Sequence, residues 1–446
     1  MEKTILFIIS FVSIAVCAIA DSSYAAFIAG MFIISVGIMA CMTINVERRA
    51  GAFKTLFCVY PVYVISAYIC SLSFDNNKCF AVSDSMRYLQ YYKNSEDYFR
   101  GWSYLADTYI SYTDNNGLYN SYIQCWAAIW NLNLDGTSVF YMTLAQTLFG
   151  VLSSVILYRI IARRHKKKST KYAVTFSCCS LFLFYSSVII RDITVTLFFL
   201  YALDYLTQNF KFRRLIYLIV FGFVVWGIRL YSGLFYFIFP LCYIVLWFTK
   251  NSSKRGTIVS LILLGISVLP IVTFTSIGEQ TQAEIEGYEE FTMERNVNGL
   301  INKLANLPPG IKQVTLTLFS QIAPFPPHSL LVKSKDFSQA YIGVDHMVYE
   351  LFWFFVFFTL AYLCIVNSRY KLFHKEELIL LIISLLYIIV NTAHPDIRRM
   401  MPVYPIIYLL YLNIVNKCSQ REVNYAKNRL RILYVVLFVF ALIYRG

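Results

Sequence analysis

Four arginines, Arg191, Arg229, Arg398 and Arg399, interrupt long apolar runs, whereas most of the other lysines and arginines sit in short basic connections. A guanidinium stays charged when partly desolvated and binds phosphate in a planar, bidentate geometry. Several of them at helix junctions could hold a pyrophosphate and stabilise it as a leaving group. Local neutralisation is the structural alternative, with Asp192 serving Arg191, Asp396 serving Arg398 or Arg399, or the side chains snorkelling to the surface. Three separate junctions on one face favour the anion site.

A second set of residues lies upstream, in Asp84-Ser85-Met86-Arg87-Tyr88-Leu89-Gln90-Tyr91-Tyr92. On a helix the steps of four put the Asp84 carboxylate and the Tyr88 and Tyr92 phenols on one face. Such a carboxylate could take a proton from an acceptor hydroxyl while the rings hold a sugar. The plainer alternative is a helix cap flanked by interfacial tyrosines. Trp102, Tyr104, Tyr109, Tyr112, Tyr119, Tyr122, Trp126 and Trp130 follow, and for most of them an aromatic belt is the default reading.

The elements that must position these groups are membrane helices. The chain has 446 residues, 58% hydrophobic and only 14% charged, and a spanning helix needs roughly 20 apolar residues. Apolar runs predict helices near 4–20, 24–44, 53–73, 137–161, 172–190, 193–209, 214–228, 230–249, 256–277, 346–366, 377–393, 402–416 and 430–444. The expected fold class is therefore all-α, a polytopic integral membrane bundle of about 12–13 helices forming a single domain over 1–446. Positively charged connections face the cytoplasm. With Glu47-Arg48-Arg49 to Lys54 inside, alternation also puts the runs around 163–168, 211–214, 250–255, 369–375 and 417–431 inside. The two long connections, 74–136 and 278–345, then fall outside. The first carries Asp75, Asp84, Glu96, Asp97, Asp107, Asp114 and Asp135 against four bases, and Pro308-Pro309 and Pro324-Pro326-Pro327 break the second. All four arginines land on that same outer face.

His328, His346 and His394 also fall outside by this topology, and His394 shares a short turn with Arg398 and Arg399. The net charge of +14 follows from the inside loops and does not indicate nucleic acid. The first twenty residues have the make-up of a signal peptide, but a retained first helix is the better reading, because many spans follow. The eleven cysteines lack metal-ligand spacing. Cys79 and Cys125 share an outer loop, where a disulfide competes with two unrelated thiols. With no Walker loop, Rossmann fingerprint or Asp-x-Asp motif, nucleotide-driven transport and a nucleotide-sugar donor both lose support. No metal and no cofactor is expected.

The pattern Ser83-Asp84-x3-Tyr88-x3-Tyr92 resembles the Gly/Ser-Asp-x3-Tyr-x3-Tyr element of EpsG-type polysaccharide polymerases. Arg191-Asp192-Ile193-Thr194-Val195-Thr196-Leu197, opening a helix, is similar to their Arg-Gln/Asp/Glu stretch. Arg398-Arg399 before Pro402 and Tyr404-Pro405 resembles their C-terminal arginine segment. In its many spans and two outer loops the whole chain is also similar to the Wzy O-antigen polymerases. It departs from the EpsG pattern after the middle helix, where a His-Thr or His-Ser pair is usual and this chain has Arg229-Leu230-Tyr231-Ser232.

The resemblance implies a GT-C-like glycosyltransferase that joins undecaprenyl-pyrophosphate-linked repeat units at the periplasmic face of the inner membrane. Asp84 matches the acidic position and becomes the catalytic base. Arg191 and Arg398 or Arg399 match the arginines and become pyrophosphate ligands. Apart from the resemblance, Tyr88 and Tyr92 by their spacing, Arg229 by its outer junction and His394 by its turn with Arg398 and Arg399 complete the substrate site. Partners would be the lipid-linked oligosaccharide, membrane lipid, a chain-length regulator and a flippase. Two alternatives stay open: a flippase for lipid-linked oligosaccharide, and a GT-C enzyme using a polyprenyl-phosphate sugar.

Overall fold

The structure is a computed structural model and describes residues 2–75, 78–79, 83–93, 117–126, 138–249, 256, 306–308, 311–322, 336–391 and 397–445. It is helical apart from a hairpin of two two-residue strands, β1 (Phe74–Asp75) and β2 (Lys78–Cys79), paired antiparallel. Five described helices are long and apolar enough to cross a membrane: Tyr24–Met42, Val46–Ser71, Val139–Arg164, Leu230–Phe248 and Phe337–Ile365. This is a helical membrane protein. The run predicted near 256–277 lies outside the described residues.

The chain divides into two compact units. The first contains α1 (Glu2–Ala20), α2 (Tyr24–Met42), α3 (Val46–Ser71), α4 (Ser83–Lys93), α5 (Gly117–Trp126), α6 (Val139–Arg164), α7 (Ser169–Cys179) and α8 (Leu181–Ser186). It also holds α9 (Asp192–Leu206) up to Asp204, the α10–α11 junction (Phe223–Gly233, between Phe212–Ile228 and Leu230–Tyr236), and the start of α14 (Phe337–Ile365). At its centre, α6 packs against α2, α3, α7 and α8, while α1 packs against α2 and α3. Large apolar side chains of α1, including Ile5, Phe7, Ile8 and Val12, stay exposed. A surface of that size would be a liability in water and is suited to lipid.

Hydrogen bonds within this unit agree with the alternation read from the charges. At one end the Tyr158 hydroxyl donates to the Arg48 carbonyl at 2.8 Å, and Arg159 and Arg163 both pair with buried Asp204. At the other end Ser138 donates to Asp21, and the Tyr141 hydroxyl donates to the Trp126 carbonyl at 2.6 Å. Basic connections thus gather at the end opposite the acidic loop.

The second unit contains most of α10, α12 (Ile238–Phe248), α13 (Ile311–Ile322), the rest of α14, α15 (Lys375–Asn391), α16 (Ile397–Met400), α17 (Tyr404–Lys417) and α18 (Gln420–Arg445). Here α15 is the hub, packed against α12, α13 and α17. Its basic end is tied by Lys417 to buried Glu377 at 3.0 Å, by Asn413 to the same carboxylate, and by Lys375 to the Thr249 carbonyl.

Two expectations change. The run near 172–190 is two short helices, because the Ser180 side chain caps α8 by accepting from the Phe182 amide, and 187–191 leaves the helix altogether. The second long connection is partly helical: α13 fits between the two proline clusters, and α14 starts at Phe337, nine residues before the predicted 346. His346, expected at the outer end of its helix, therefore stands within it, since the helix extends upstream of the Asp345-His346 pair. Cys125 is a free thiol, and the Cys79 side chain lies outside the described residues.

Candidate functional site

Arg191 and Arg229 each stand at a break between helices. Residues Ser187–Ile190 are non-helical and buried, and α9 begins at Asp192 with the Arg191 carbonyl accepting from the Val195 amide at 3.1 Å. Irregular backbone at membrane depth survives only where it is buried in protein or lines a cavity. The second break is at Arg229. There Gly233 lies so close to the preceding helix that an added Cβ would sit 2.3 Å from the Trp226 Cα, so only glycine lets α11 fold back there.

The two junctions are joined. The Arg229 guanidinium donates to Asp192 Oδ1 at 2.9 Å, with both side chains buried at 7% and 4% exposure. Arg191 donates to the Ile228 carbonyl at 3.3 Å and is itself only half-buried. Neutralisation by Asp192 therefore falls on Arg229, with Arg191 left at the more accessible edge. The pair joins the start of α9 to the α10–α11 junction, 37 residues further along the chain.

Helix α4 brings the upstream motif to the same place. Asp84 lies in its exposed first turn, and one turn on Tyr88 is 5% exposed, its ring edge-on to buried Tyr119 of α5 at 4.8 Å. Burial pushes the Tyr88 phenol above its ordinary range; the Arg191 and Arg229 charges pull it down, and Asp192 and Asp84 push it up. All four charged side chains thus bear on one hydroxyl. Burial also raises the Tyr119 phenol well above its ordinary range, with Asp192 and Arg191 again among its neighbours. Both phenols are neutral hydrogen-bond donors at physiological pH.

A buried glutamine links these parts. Tyr119 donates to Gln146 Oε1 at 2.9 Å, and Gln146 Nε2 donates to the Ile190 carbonyl at 2.6 Å. The outer helix α5 is thereby tied through α6 to the residue before Arg191, and Tyr122 adds a bond to the Ala145 carbonyl at 2.8 Å. Ser85 and Thr194, beside Asp84 and Asp192 in sequence, bury hydroxyls that find no hydrogen-bond partner among the described residues. Buried polar groups are ordinarily satisfied, so such orphans suit a site that takes a polar ligand.

Comparison with protein-family models, with curated proteins and with solved structures finds no match for this chain. The site is therefore read from its own chemistry. Arg398 and Arg399 belong to the second unit, on the four-residue α16, where Arg399 is buried at 9% exposure. A parallel brace exists there: Trp353 donates to Gln321 Oε1 at 3.0 Å, Gln321 donates to the Met400 sulfur at 3.2 Å, and Trp353 stacks on Tyr404 at 3.8 Å. His394 and the Tyr92 side chain lie outside the described residues.

The structure thus brings Asp84, Tyr88, Arg191 and Arg229 together within one unit and places Arg398 and Arg399 in the other. Sequence reasoning missed Gln146, Gln321 and the pairing of Asp192 with Arg229. A lone amide inside an apolar run was the available signal for Gln146. No group of three or more metal-ligating side chains occurs among the described residues.

Proposed function

We propose that this protein is a polysaccharide polymerase of the Wzy and EpsG kind, with a GT-C-like architecture, acting at the periplasmic face of a bacterial inner membrane. The observation that carries the reading is the convergence of the Asp84–Tyr88 helix on Arg191 and the Arg229–Asp192 pair, beside a buried break in the membrane helices. An exposed carboxylate and a partly exposed guanidinium that both act on the buried Tyr88 phenol suit acid–base glycosyl transfer from a lipid pyrophosphate.

In this scheme Asp84 takes the proton from an acceptor sugar hydroxyl. The new bond forms between that oxygen and the anomeric carbon of the growing glycan as its bond to the pyrophosphate oxygen breaks. The departing pyrophosphate carries the negative charge, and Arg191 stabilises it. Arg229 acts mainly through Asp192, fixing the start of α9 on which Arg191 stands. By resemblance Arg398 or Arg399, in the second unit, is an anion ligand in its own right; His394 is added from the turn it shares with them, and Tyr92 is assigned to the sugar. Holding two large substrates in register supplies much of the rate.

The test is complementation of a strain lacking this protein with Asp84→Asn and Arg191→Ala, followed by examination of the surface glycan. The polymerase reading expects single-unit glycan without long chains. Loss of single units as well indicates a flippase or a unit-building transferase, and normal long chains in both variants refute the site.

A further inference from the structure

Helix α14 carries ionisable groups where a spanning helix ordinarily has none: Asp345, His346 and Glu350 lie within its first four turns. Intramembrane carboxylates and imidazoles are rare and mark ion or proton sites. Tyr341 and Asp345 are four residues apart, as are His346 and Glu350, so they form two adjacent stripes of the helix.

Asp345 is 8% exposed and makes no hydrogen bond or ion pair among the described residues. Among the described residues, the titratable groups coupled to it come from α7 and α14. From α7 come the Cys178 and Cys179 thiols, and from α14 itself the Tyr341 phenol, which also faces Cys70 of α3. No lysine or arginine is among them. From α8 the Phe184 ring stands edge-on to the His346 imidazole at 4.5 Å. His346 Nε2 is buried and finds no hydrogen-bond partner among the described residues.

A carboxylate buried without a cation is tolerated only if it acquires a proton or a cation. Thiols, a phenol and an aromatic ring do not supply the oxygen shell that a hard cation needs. A neighbouring imidazole with an unused nitrogen suits a proton instead.

We propose that Asp345, with His346 beside it, is a proton-exchange site inside the membrane domain, the carboxylate taking up one proton from water and releasing it again. The inference stands apart from the polymerase reading and holds for an enzyme or a carrier alike.

Dicyclohexylcarbodiimide tests it, because the reagent must take the acid proton onto its nitrogen before the carboxylate adds to its carbon and rearranges to a stable acylurea. The full chain in detergent is treated from about pH 5 to about pH 9, the span over which desolvated carboxyls titrate, and the peptide carrying Asp345 is weighed. The expected result is an acylurea on Asp345 whose yield falls about tenfold or more as pH rises. Asp345→Asn should lose the adduct and Asp345→Glu should keep it, both eluting like the unmodified protein. No adduct on the folded protein, or a yield that is flat with pH, overturns the proposal.

Discussion

Breaking the Arg229–Asp192 pair should cost far more stability than removing Arg191. The pair is 2.9 Å long and its side chains are 7% and 4% exposed. At an effective dielectric constant of about 20, two unit charges at that distance attract by about 6 kcal/mol. Desolvation of both groups offsets part of this, and removal of one partner from a buried pair ordinarily costs about 3–5 kcal/mol, because the other is left uncompensated. Arg229→Ala and Asp192→Ala should each show that loss. Arg191 is only half-buried, so its removal strands no fully desolvated charge, and Arg191→Ala should cost only about 1–2 kcal/mol. The double variant Arg229→Met/Asp192→Leu keeps volume without charge and should recover most of the lost stability. Unfolding in detergent, followed by tryptophan fluorescence, of this double variant with single Arg229→Met and Asp192→Leu variants gives the double-mutant cycle, with an expected coupling of about 2 kcal/mol or more. A double variant as unstable as the sum of the singles would refute the pairing argument.

Gln146→Leu removes both the Tyr119 and the Ile190 hydrogen bonds and should cost about 2–4 kcal/mol, with faster hydrogen exchange in α5 as the readout. Gly233→Ala forces a Cβ onto the Trp226 backbone and should destabilise by about 1–3 kcal/mol, measured as a lower melting temperature in detergent. Outside the spans, Arg369 beside Glu422 holds that carboxyl below its usual range. A depressed carboxyl stabilises the fold above its unfolded pKa and loses that effect as pH falls through the folded value. The stability gap between the unmodified protein and Glu422→Gln should therefore be present at neutral pH and close below about pH 4.

Much of the fold is legible in the sequence because membrane helices obey two simple constraints, apolar length and the placement of positive charge. The bonds of Tyr158 to Arg48 and of Ser138 to Asp21 join elements that the charge pattern had already put at the same end. The α4 face carrying Asp84 and Tyr88 follows from the step of four alone. What stays hidden depends on contacts between distant segments. Hydropathy sees 172–190 as one apolar run, because Val188, Ile189 and Ile190 are as apolar in a buried irregular stretch as in a helix. Asp192 is adjacent to Arg191 in sequence, yet its carboxylate serves Arg229, 37 residues away. Gln146 reads as an isolated polar residue until the Ile190 carbonyl is placed opposite it. Asp345 reads as a loop residue and His346 as the outer end of a helix, since their polarity hides the upstream extension of α14.

The central claim is that Asp84 and Arg191 serve one glycosyl-transfer site, and reconstitution tests it most directly. The full-length protein in liposomes would receive undecaprenyl-pyrophosphate-linked units extracted from the strain lacking it, and products would be separated by chain length. The unmodified protein should yield a ladder of long chains and free undecaprenyl pyrophosphate, and Asp84→Asn and Arg191→Ala should both yield unextended units. A full ladder from either variant, or no ladder from the folded unmodified protein, would contradict the account.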